Sequence, residues 1–258
     1  MDDETKQFLK EMCESANRDW ANNTDGTPRD GGPYCEKCRN KRMIHYFDWE
    51  TGYEWVEYCE CYPALKAMRN IRKSGLGEYI KNLTFANFER KAEYQKQMYD
   101  LAQEFFHSNG QSWFAIFGQT GAGKTHICTA LCGELLNRGQ SLIYLRWAVE
   151  IKRIKMLGGG SNGYVDEMDK IFAHDVIYID DLFKCSRGRT PTDAEIDIAF
   201  ELIDNALSQR KILILSGETT LEQIRDIDEA TAGRIKKECG KYLLQIKHDA
   251  DKNYRLKE

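Results

Sequence analysis

An eight-residue stretch has the residue types and spacing of a phosphate-binding loop. It reads Gly118-Gln119-Thr120-Gly121-Ala122-Gly123-Lys124-Thr125 and fits G-x-x-x-x-G-K-[ST] at every fixed position. Glycines let such a loop bring backbone N–H groups against phosphate oxygens. Lys124 can reach the β- and γ-phosphates, and the Thr125 hydroxyl suits Mg²⁺. A chance match in a Gly-rich turn is the alternative. The apolar strand-like run before the loop and the helix-like segment after it favour a nucleotide site.

Two adjacent carboxylates could complete this site. The apolar run at 176–179 is typical of a buried strand and ends in Asp180 and Asp181. A carboxylate at the C-terminal end of such a strand can hold Mg²⁺ directly or through water, so Asp180 is a second metal-ligand candidate. Asp181 is the candidate to orient or deprotonate an attacking water. An Asp-Asp turn is common in isolation, but after a phosphate loop the pair favours ATP hydrolysis.

Four of the nine cysteines are spaced as metal ligands. Cys35 and Cys38 form a C-x₂-C pair, and Cys59 and Cys61 form a C-x-C pair, which is a less usual spacing. The segment between the pairs alternates as a β-hairpin does, which would bring four thiolates together in the tetrahedral arrangement that suits Zn²⁺. Four unligated core cysteines are the alternative. Because so short a region buries little core, bound zinc would supply much of its folding free energy.

Hydrophobic periodicity predicts the elements that position these groups. From the phosphate loop onward, strand-like and helix-like segments alternate, which predicts an α/β fold with a parallel sheet covered by helices. Ahead of it, the pattern predicts a helix at 4–20 and a basic helix at 63–74 on either side of the cysteine hairpin. The predicted organisation is an N-terminal helix and linker (1–32), a small zinc-binding β-hairpin region (33–77) and a nucleotide-binding domain (78–258).

Composition excludes several classes of protein. Hydrophobic content of 41% and charged content of 30% are typical of a soluble globular chain, and no apolar run approaches the length of a membrane span. The acidic start is not that of a signal peptide, so we expect a cytoplasmic protein with reduced cysteines and no membrane partner. A net charge of −4 argues against a basic surface over the whole chain, so any contact with nucleic acid must be local.

Together these motifs resemble the DnaC/DnaI-type helicase loaders of bacteria and phages. The segments that carry the resemblance are the two cysteine pairs, 73–77, the phosphate loop, 143–147, 179–183 and 226–230. It extends from about residue 34 to the end of the chain, and the cysteine pairs make it more specific than a phosphate loop alone. The resemblance implies an AAA+ ATPase core. It also implies an N-terminal region that grips a DnaB-family replicative helicase, which ATP-controlled loaders help to place on single-stranded DNA.

The resemblance further implies an arginine finger at Arg234. In this family such an arginine reaches the γ-phosphate of a neighbouring subunit, so its use requires self-association through the ATPase domain. The alternatives are a surface arginine or a pair with Asp228 or Glu229.

A departure from the family pattern occurs at the sensor position, where Ser/Thr-Asn is usual. Here the sequence reads Ser216-Gly217-Glu218, so Ser216 can supply the polar group. The carboxylate of Glu218 would repel a γ-phosphate unless it is protonated, metal-bound or turned away. The rate of hydrolysis therefore stays open.

The third implied site is a two-helix insertion between residues 145 and 175 that lines a DNA channel in this clade. Its basic residues are Arg146, Lys152, Arg153 and Lys155. These side chains would contact phosphates, and Trp147 or Tyr164 could stack on a base, although Trp147 fits a core position equally well.

Other functions remain open. One is an IstB-like transposition accessory ATPase or a replication initiator, but the cysteine unit favours the loader. Another is a small-molecule kinase, for which Arg187-Gly188-Arg189 would be the lid over the phosphates. A third is an ATP-gated binding module that does not hydrolyse its nucleotide.

Overall fold

The computed structural model describes residues 2–108, 112–185 and 189–247. Two compact units are present, Met1–Arg69 and Asn70–Glu258. The proposed kinase lid at 187–189 lies mostly outside the described residues. Within the described ranges, no helix is both long and apolar enough to cross a bilayer.

The first unit contains two helices and a β-hairpin. Its elements are α1 (Asp3–Arg18), β1 (Met43–Phe47), β2 (Glu54–Tyr58) and the start of α2 (Tyr62–Lys73). The Asp2 carboxylate accepts a hydrogen bond from the Thr5 N–H at 2.7 Å and so caps α1. β1 and β2 are antiparallel, and the Asn17 side chain of α1 bonds both backbone groups of His45 on β1. The predicted helices and hairpin are present, with ends shifted by one or two residues.

The second unit is a parallel α/β sheet. Its elements are α3 (Gly77–Asn82), α4 (Glu93–His107), β3 (Phe114–Gly118), α5 (Lys124–Asn137), β4 (Leu142–Arg146), α6 (Trp147–Leu157), α7 (Asn162–Phe172), β5 (Val176–Asp180), α8 (Asp193–Ser208), β6 (Ile212–Gly217), α9 (Leu221–Ile227), α10 (Glu229–Cys239) and β7 (Leu243–Ile246). The described strands pair in the order β4-β5-β6-β3-β7, each parallel to its neighbours. The predicted fold class is confirmed. The short helices α3 and α9 were not predicted.

Helices cover both faces of this sheet. Alternate strand residues point to opposite sides, so Ile177 and Leu213 pack in one apolar cluster with side chains of α6, α7, α8 and α10. Val176 and Ile214 pack in a second cluster with side chains of α4 and α5. Burial on both faces explains why these strands read as continuous apolar runs. It also leaves the carboxyl ends of β3, β5 and β6 together at one edge, which is where ligands bind in open parallel sheets.

Candidate functional site

The phosphate loop connects the end of β3 to the start of α5. Gly118 has φ +114° and Gly123 has φ +91°, which L side chains rarely adopt, and a Cβ on Gly118 would collide with the Ile246 carbonyl. Lys124 is 6% exposed, and its ammonium donates to the carbonyls of Gly118 and Gln119, each at 2.7 Å. Because burial disfavours the charged form, the pKa of Lys124 lies below its ordinary value. The loop therefore wraps a buried lysine at a helix N-terminus, as phosphate binding requires.

Asp180, the last residue of β5, lies beside this loop and is buried. One carboxylate oxygen accepts hydrogen bonds from the Thr125 hydroxyl, at 3.2 Å, and from the Ser216 hydroxyl. The other oxygen accepts the Tyr144 hydroxyl at 3.0 Å. The Tyr178 hydroxyl lies 3.2 Å from that of Ser216, which extends the network. The two oxygen groups expected to hold Mg²⁺, on Thr125 and Asp180, thus meet at the loop, and their chemistry fits that ion.

Asp181 and Glu218 share one lysine at this edge of the sheet. The Lys184 ammonium lies 2.9 Å from the Asp181 carboxylate and 3.1 Å from that of Glu218. Partial burial opposes ionisation of Glu218, but hydrogen bonds from Thr120 and Lys184 outweigh it, so the pKa of Glu218 lies below its ordinary value. At neutral pH Glu218 is therefore ionised and ion-paired rather than protonated.

A cavity of about 410 Å³ opens over these groups. Its lining residues include Thr120 to His126 of the loop, Tyr79, Leu83, Tyr144, Arg146, Asp180, Asp181, Lys184 and Glu218. The structure thus brings the predicted loop, from Thr120 onward, together with both aspartates and Glu218 around one cavity. It also brings Arg146 there, because Arg146 pairs with Asp180 in the β4–β5 register.

Two of the four basic residues predicted to contact DNA are held by carboxylates. Arg153 lies 2.7 Å from Glu150 and 2.6 Å from Glu167. Lys155 lies 3.2 Å from Glu195. Arg146 and Lys152 are exposed, so they are the more available of the four.

Both aromatic residues suggested for base stacking belong to the core. Trp147 is 3% exposed and packs edge-on against Phe183, with ring centroids 5.5 Å apart. Tyr164 is 7% exposed and donates to Glu201 at 2.5 Å. A base could not reach either ring without repacking of α6 or α7, so stacking on them is not supported by their positions.

Arg234 lies on α10 and is held by residues of α8. Its guanidinium lies 2.8 Å from the Asp204 carboxylate and stacks over the Phe200 ring at 4.5 Å from the centroid. The two carboxylates suggested as alternative partners are not the ones it uses. Asp228 instead caps α10, where its side chain accepts from the Ala230 and Thr231 N–H groups.

The four spaced cysteines come together in the first unit. Their sulfur atoms all lie within 4.8 Å of one another, with 3.8 Å between Cys35 and Cys59 and 3.6 Å between Cys38 and Cys61. Four thiols gathered at this separation form the donor set of a structural zinc site, and the cluster is compatible with a zinc unit.

A buried arginine next to this cluster donates hydrogen bonds to two of its sulfur atoms. The Arg42 guanidinium donates to the Cys61 sulfur at 3.4 Å and to both carboxylate oxygens of Asp30, at 2.6 and 2.9 Å. The Arg42 backbone N–H points at the Cys38 sulfur at 3.3 Å. Donors of this kind are the usual second layer of a thiolate site because they offset its negative charge.

Sequence reasoning missed three residues at these sites, namely Tyr144, Lys184 and Arg42. Tyr144 could have been found, because a polar side chain near the end of a parallel strand faces the same edge as Asp180. Lys184 follows Asp181 by three residues, which places it in the turn after β5. Nothing in the spacing pointed to Arg42 as a neighbour of Cys61.

The sheet, the loop and the aspartate at the end of β5 define a P-loop nucleotide-binding protein. Residues 65–249 match the family described as IstB-like ATP binding protein, and the chain belongs to this family. Because the match spans most of the sequence, it covers every element of the parallel sheet.

Several relatives are similar over much of their length. The uncharacterized protein YqaM of Bacillus subtilis (strain 168) is 30% identical over 220 residues, which are 81% of this chain and 69% of YqaM. The phage-like element PBSX protein XkdC of the same strain is 28% identical, covering 86% of both chains. The replicative helicase loader DnaC of Buchnera aphidicola (subsp. Baizongia pistaciae) is 26% identical, covering 63% of this chain and 71% of DnaC. The last of these relatives, together with the family match, confirms the resemblance to DnaC-type proteins.

Solved structures share the fold. The crystal structures of the DnaC helicase loader and of DnaI each have 16% identity and a TM-score of 0.52, and each covers 66% of this chain. The match spans 99% of the DnaC chain and 91% of the DnaI chain. AMPPCP-bound DnaA from Aquifex aeolicus has 18% identity and a TM-score of 0.52 over 67% of this chain, which spans about half (52%) of that protein.

Proposed function

We propose that this chain is a cytoplasmic ATPase that loads a DnaB-family replicative helicase onto single-stranded DNA. The observation that carries the ATPase part is the meeting of Lys124, Thr125 and Asp180 at one cavity. The loading part is supported by membership of a family whose relatives include proteins named replicative helicase loader.

In this proposal the phosphate loop binds the triphosphate and β5 supplies the groups for hydrolysis. Backbone N–H groups of residues 119–124 and the Lys124 ammonium hold the β- and γ-phosphates. Thr125 and Asp180 would hold Mg²⁺, which when bound offsets phosphate charge. Asp181 leaves its ion pair with Lys184 and orients or deprotonates the attacking water. Ser216 keeps Asp180 in place through its hydroxyl, and Arg234 contacts the γ-phosphate bound by a neighbouring copy.

The first unit is proposed to grip the helicase. Zn²⁺ held by the four clustered cysteines would fix the base of the β1–β2 hairpin, which has few buried side chains of its own. The hairpin exposes aromatic side chains, including Tyr53 beside its turn and Tyr58 near its base, that could contact a protein partner. Single-stranded DNA is proposed to contact the exposed Arg146 and Lys152, with Arg153 and Lys155 available only when they leave their carboxylates.

A loading assay with the full chain tests the function. The chain, a DnaB-family helicase and a circular single strand are mixed with ATP, and helicase retained on the circle is measured. We expect retention to require the chain and to be lost in Lys124→Ala, because without the ammonium the phosphates lose their main cation. Retention that is equal with and without the chain, in the presence of ATP, would contradict loading.

The family description favours one alternative, a transposition accessory ATPase. The same preparation distinguishes the two functions. An accessory ATPase would bind ATP normally but would neither capture the helicase in a pull-down nor change its retention on DNA. A non-hydrolysing module would capture helicase in the presence of ATP and release no phosphate.

A further inference from the structure

The end of the cavity where a γ-phosphate would lie is lined by several acidic side chains. Asp180, Asp181 and Glu218 all line it, and each carries a carboxylate. A terminal phosphate that approaches ionised carboxylates in a partly buried site is repelled unless a cation lies between them.

Lys184 is the cation in that position. Its ammonium forms ion pairs with both Asp181 and Glu218, and its side chain is 36% exposed and lines the cavity. The other basic residues that line the cavity within the described part of the chain are Lys124, Arg146 and His126. Lys124 donates to loop carbonyls, and the His126 ring lies 2.9 Å from the Thr84 carbonyl oxygen. Within the described residues, the ion pairs of Asp181 and Glu218 inside the cavity are with Lys184 and not with Lys124, His126 or Arg146.

The two residues before Lys184 are anchored, one to the end of β6 and the other to α6. Leu182 is fully buried, and its N–H donates to the Ser216 carbonyl at 2.9 Å, which ties the turn to the end of β6. Phe183 is 3% exposed and packs against Trp147. Asp181 and Phe183 both have positive φ, +61° and +59°, so this path is one the surrounding packing imposes. The backbone beside Lys184 is therefore held, and the two ion pairs of its ammonium restrict the side chain before a nucleotide binds.

A purely structural role is the alternative. An ion pair that is about one-third exposed contributes little to stability, and Lys184 could serve only to close the turn. A lysine that only closes the turn predicts no difference between nucleotides that carry a γ-phosphate and those that lack it. A lysine that only neutralises the carboxylates predicts that ATP binding lost in Lys184→Ala is recovered in Lys184→Ala/Glu218→Gln, whereas loss of a direct contact with the γ-phosphate is not recovered.

We propose that Lys184 contacts the γ-phosphate of the bound triphosphate within the same chain, with Glu218 as the residue that positions its ammonium. The inference rests on the proposed ATP site and deepens it, because it assigns the discrimination of ATP from ADP. In the nucleotide-free chain the two carboxylates hold the ammonium at the cavity wall. When ATP binds, the γ-phosphate replaces Asp181 as a partner of the ammonium, and Asp181 is released toward the attacking water.

The test measures affinity for fluorescent ATP and ADP analogues, each with Mg²⁺, in the full chain and in variants. We expect Lys184→Ala and Lys184→Gln to weaken binding of the ATP analogue about tenfold or more, as loss of a charge-assisted hydrogen bond does. Binding of the ADP analogue should stay within about twofold of the unsubstituted chain, since the lost contact is to the γ-phosphate alone. Lys184→Arg should retain most of the preference. Lys96→Ala, on the exposed face of α4, is the matched control.

Equal losses for the two analogues, or no change for either, would overturn the role of Lys184 and leave the ATP site standing. Failure of the unsubstituted chain to bind either analogue would instead remove the proposed ATPase function, and this inference with it. Thermal unfolding midpoints of Lys184→Ala and Lys184→Gln show whether any loss of binding reflects misfolding. If the two variants lose the same affinity, the loss comes from removal of the ammonium and not from the particular side chain that replaces it.

Discussion

The side chain of Asp180 shows how a buried charge is kept in a fixed position. Hydroxyls of Thr125, Ser216 and Tyr144 all donate to its carboxylate, and burial of an ionised carboxylate is tolerated only with such partners. A bound Mg²⁺ or its water would take the place of a displaced hydroxyl and would itself compensate the carboxylate. The carboxylate is therefore ready to exchange a hydroxyl donor for a metal ion or its water.

Asp181→Asn should separate nucleotide binding from turnover. Because the amide keeps the size of the side chain but cannot accept a proton, we expect ATP affinity to be retained and phosphate release to fall about a hundredfold or more. Asp226→Asn, which removes an exposed carboxylate on α9, is the control and should release phosphate at the normal rate. Unchanged phosphate release in Asp181→Asn would exclude Asp181 from this role.

At this scale the sequence predicts residues whose partners are close along the chain. The phosphate loop and the Asp pair were identified because each is a contiguous motif with a known geometry. Lys184 is paired with Glu218, directly after β6, and Arg234 is paired with Asp204 on α8. Both pairs depend on which strands and helices become neighbours in the fold. Spacing alone suggested Asp228 or Glu229 for Arg234, and these were wrong because Asp228 is used as a helix cap.

Among the elements, the cysteine hairpin depends most on a ligand. Four thiolates and one Zn²⁺ carry a net negative charge, and the Arg42 guanidinium beside Cys61 offsets part of it. The same guanidinium forms a bidentate pair with Asp30, and both side chains are shielded from solvent. Residue 30 belongs to the stretch expected to be a plain linker, so the arginine joins that stretch to the cysteine cluster.

Removal of zinc should unfold this hairpin. Full-length protein is expected to contain about one zinc per chain, and Cys35→Ser or strong chelation should remove it. We expect the near-ultraviolet circular dichroism of the stacked Tyr46–Trp55–Tyr53 rings to collapse, while affinity for ATP is kept because the residues that line the cavity are in the second unit. Cys185→Ser is the control, since Cys185 lies outside the cluster. Well-folded protein with no zinc would contradict the metal site.

Elements with strong periodicity were predicted well, and short ones were not. The strands of the sheet were recognised from apolar runs, because burial on both faces demands such runs. The order β4-β5-β6-β3-β7 was not predicted, since apolar runs do not say which strand pairs with which. Helices α3 and α9 have only six and seven residues, too few to show a helical period.

At the scale of the whole molecule, the charge distribution limits how nucleic acid can be bound. With a net charge of −4, attraction to phosphates must come from local clusters of basic residues. The basic residues of α2, which include Lys66, Arg72 and Lys73, are exposed and fit a solvated face or a DNA contact equally. On α6 two of the proposed contacts are already paired with carboxylates, so any such DNA binding competes with intramolecular ion pairs.

To act as an arginine finger on a neighbouring copy, the Arg234 side chain would have to release its contacts within its own chain. The arginine is held by the Asp204 carboxylate and the face of Phe200, and its side chain is 28% exposed. The ion pair and the cation–π contact are both only partly buried, and such contacts are weak enough to exchange for a γ-phosphate. Arg234 is thus restrained in the single chain but available to a neighbour.

Arg234→Ala is expected to bind ATP normally and to lose either DNA-stimulated hydrolysis or assembly, because the substitution removes the contact with a neighbouring active site and leaves the chain's own ATP cavity unchanged. Phosphate release with single-stranded DNA, followed over a range of protein concentrations, and sedimentation of the assembly are the measurements. Asp204→Asn provides a matched control, since it breaks the same ion pair but keeps the guanidinium; it should hydrolyse ATP at least as fast as the unsubstituted chain. If Arg234→Ala equals the unsubstituted chain in both measurements, Arg234 is a surface residue that stabilises the α8–α10 packing and not a finger.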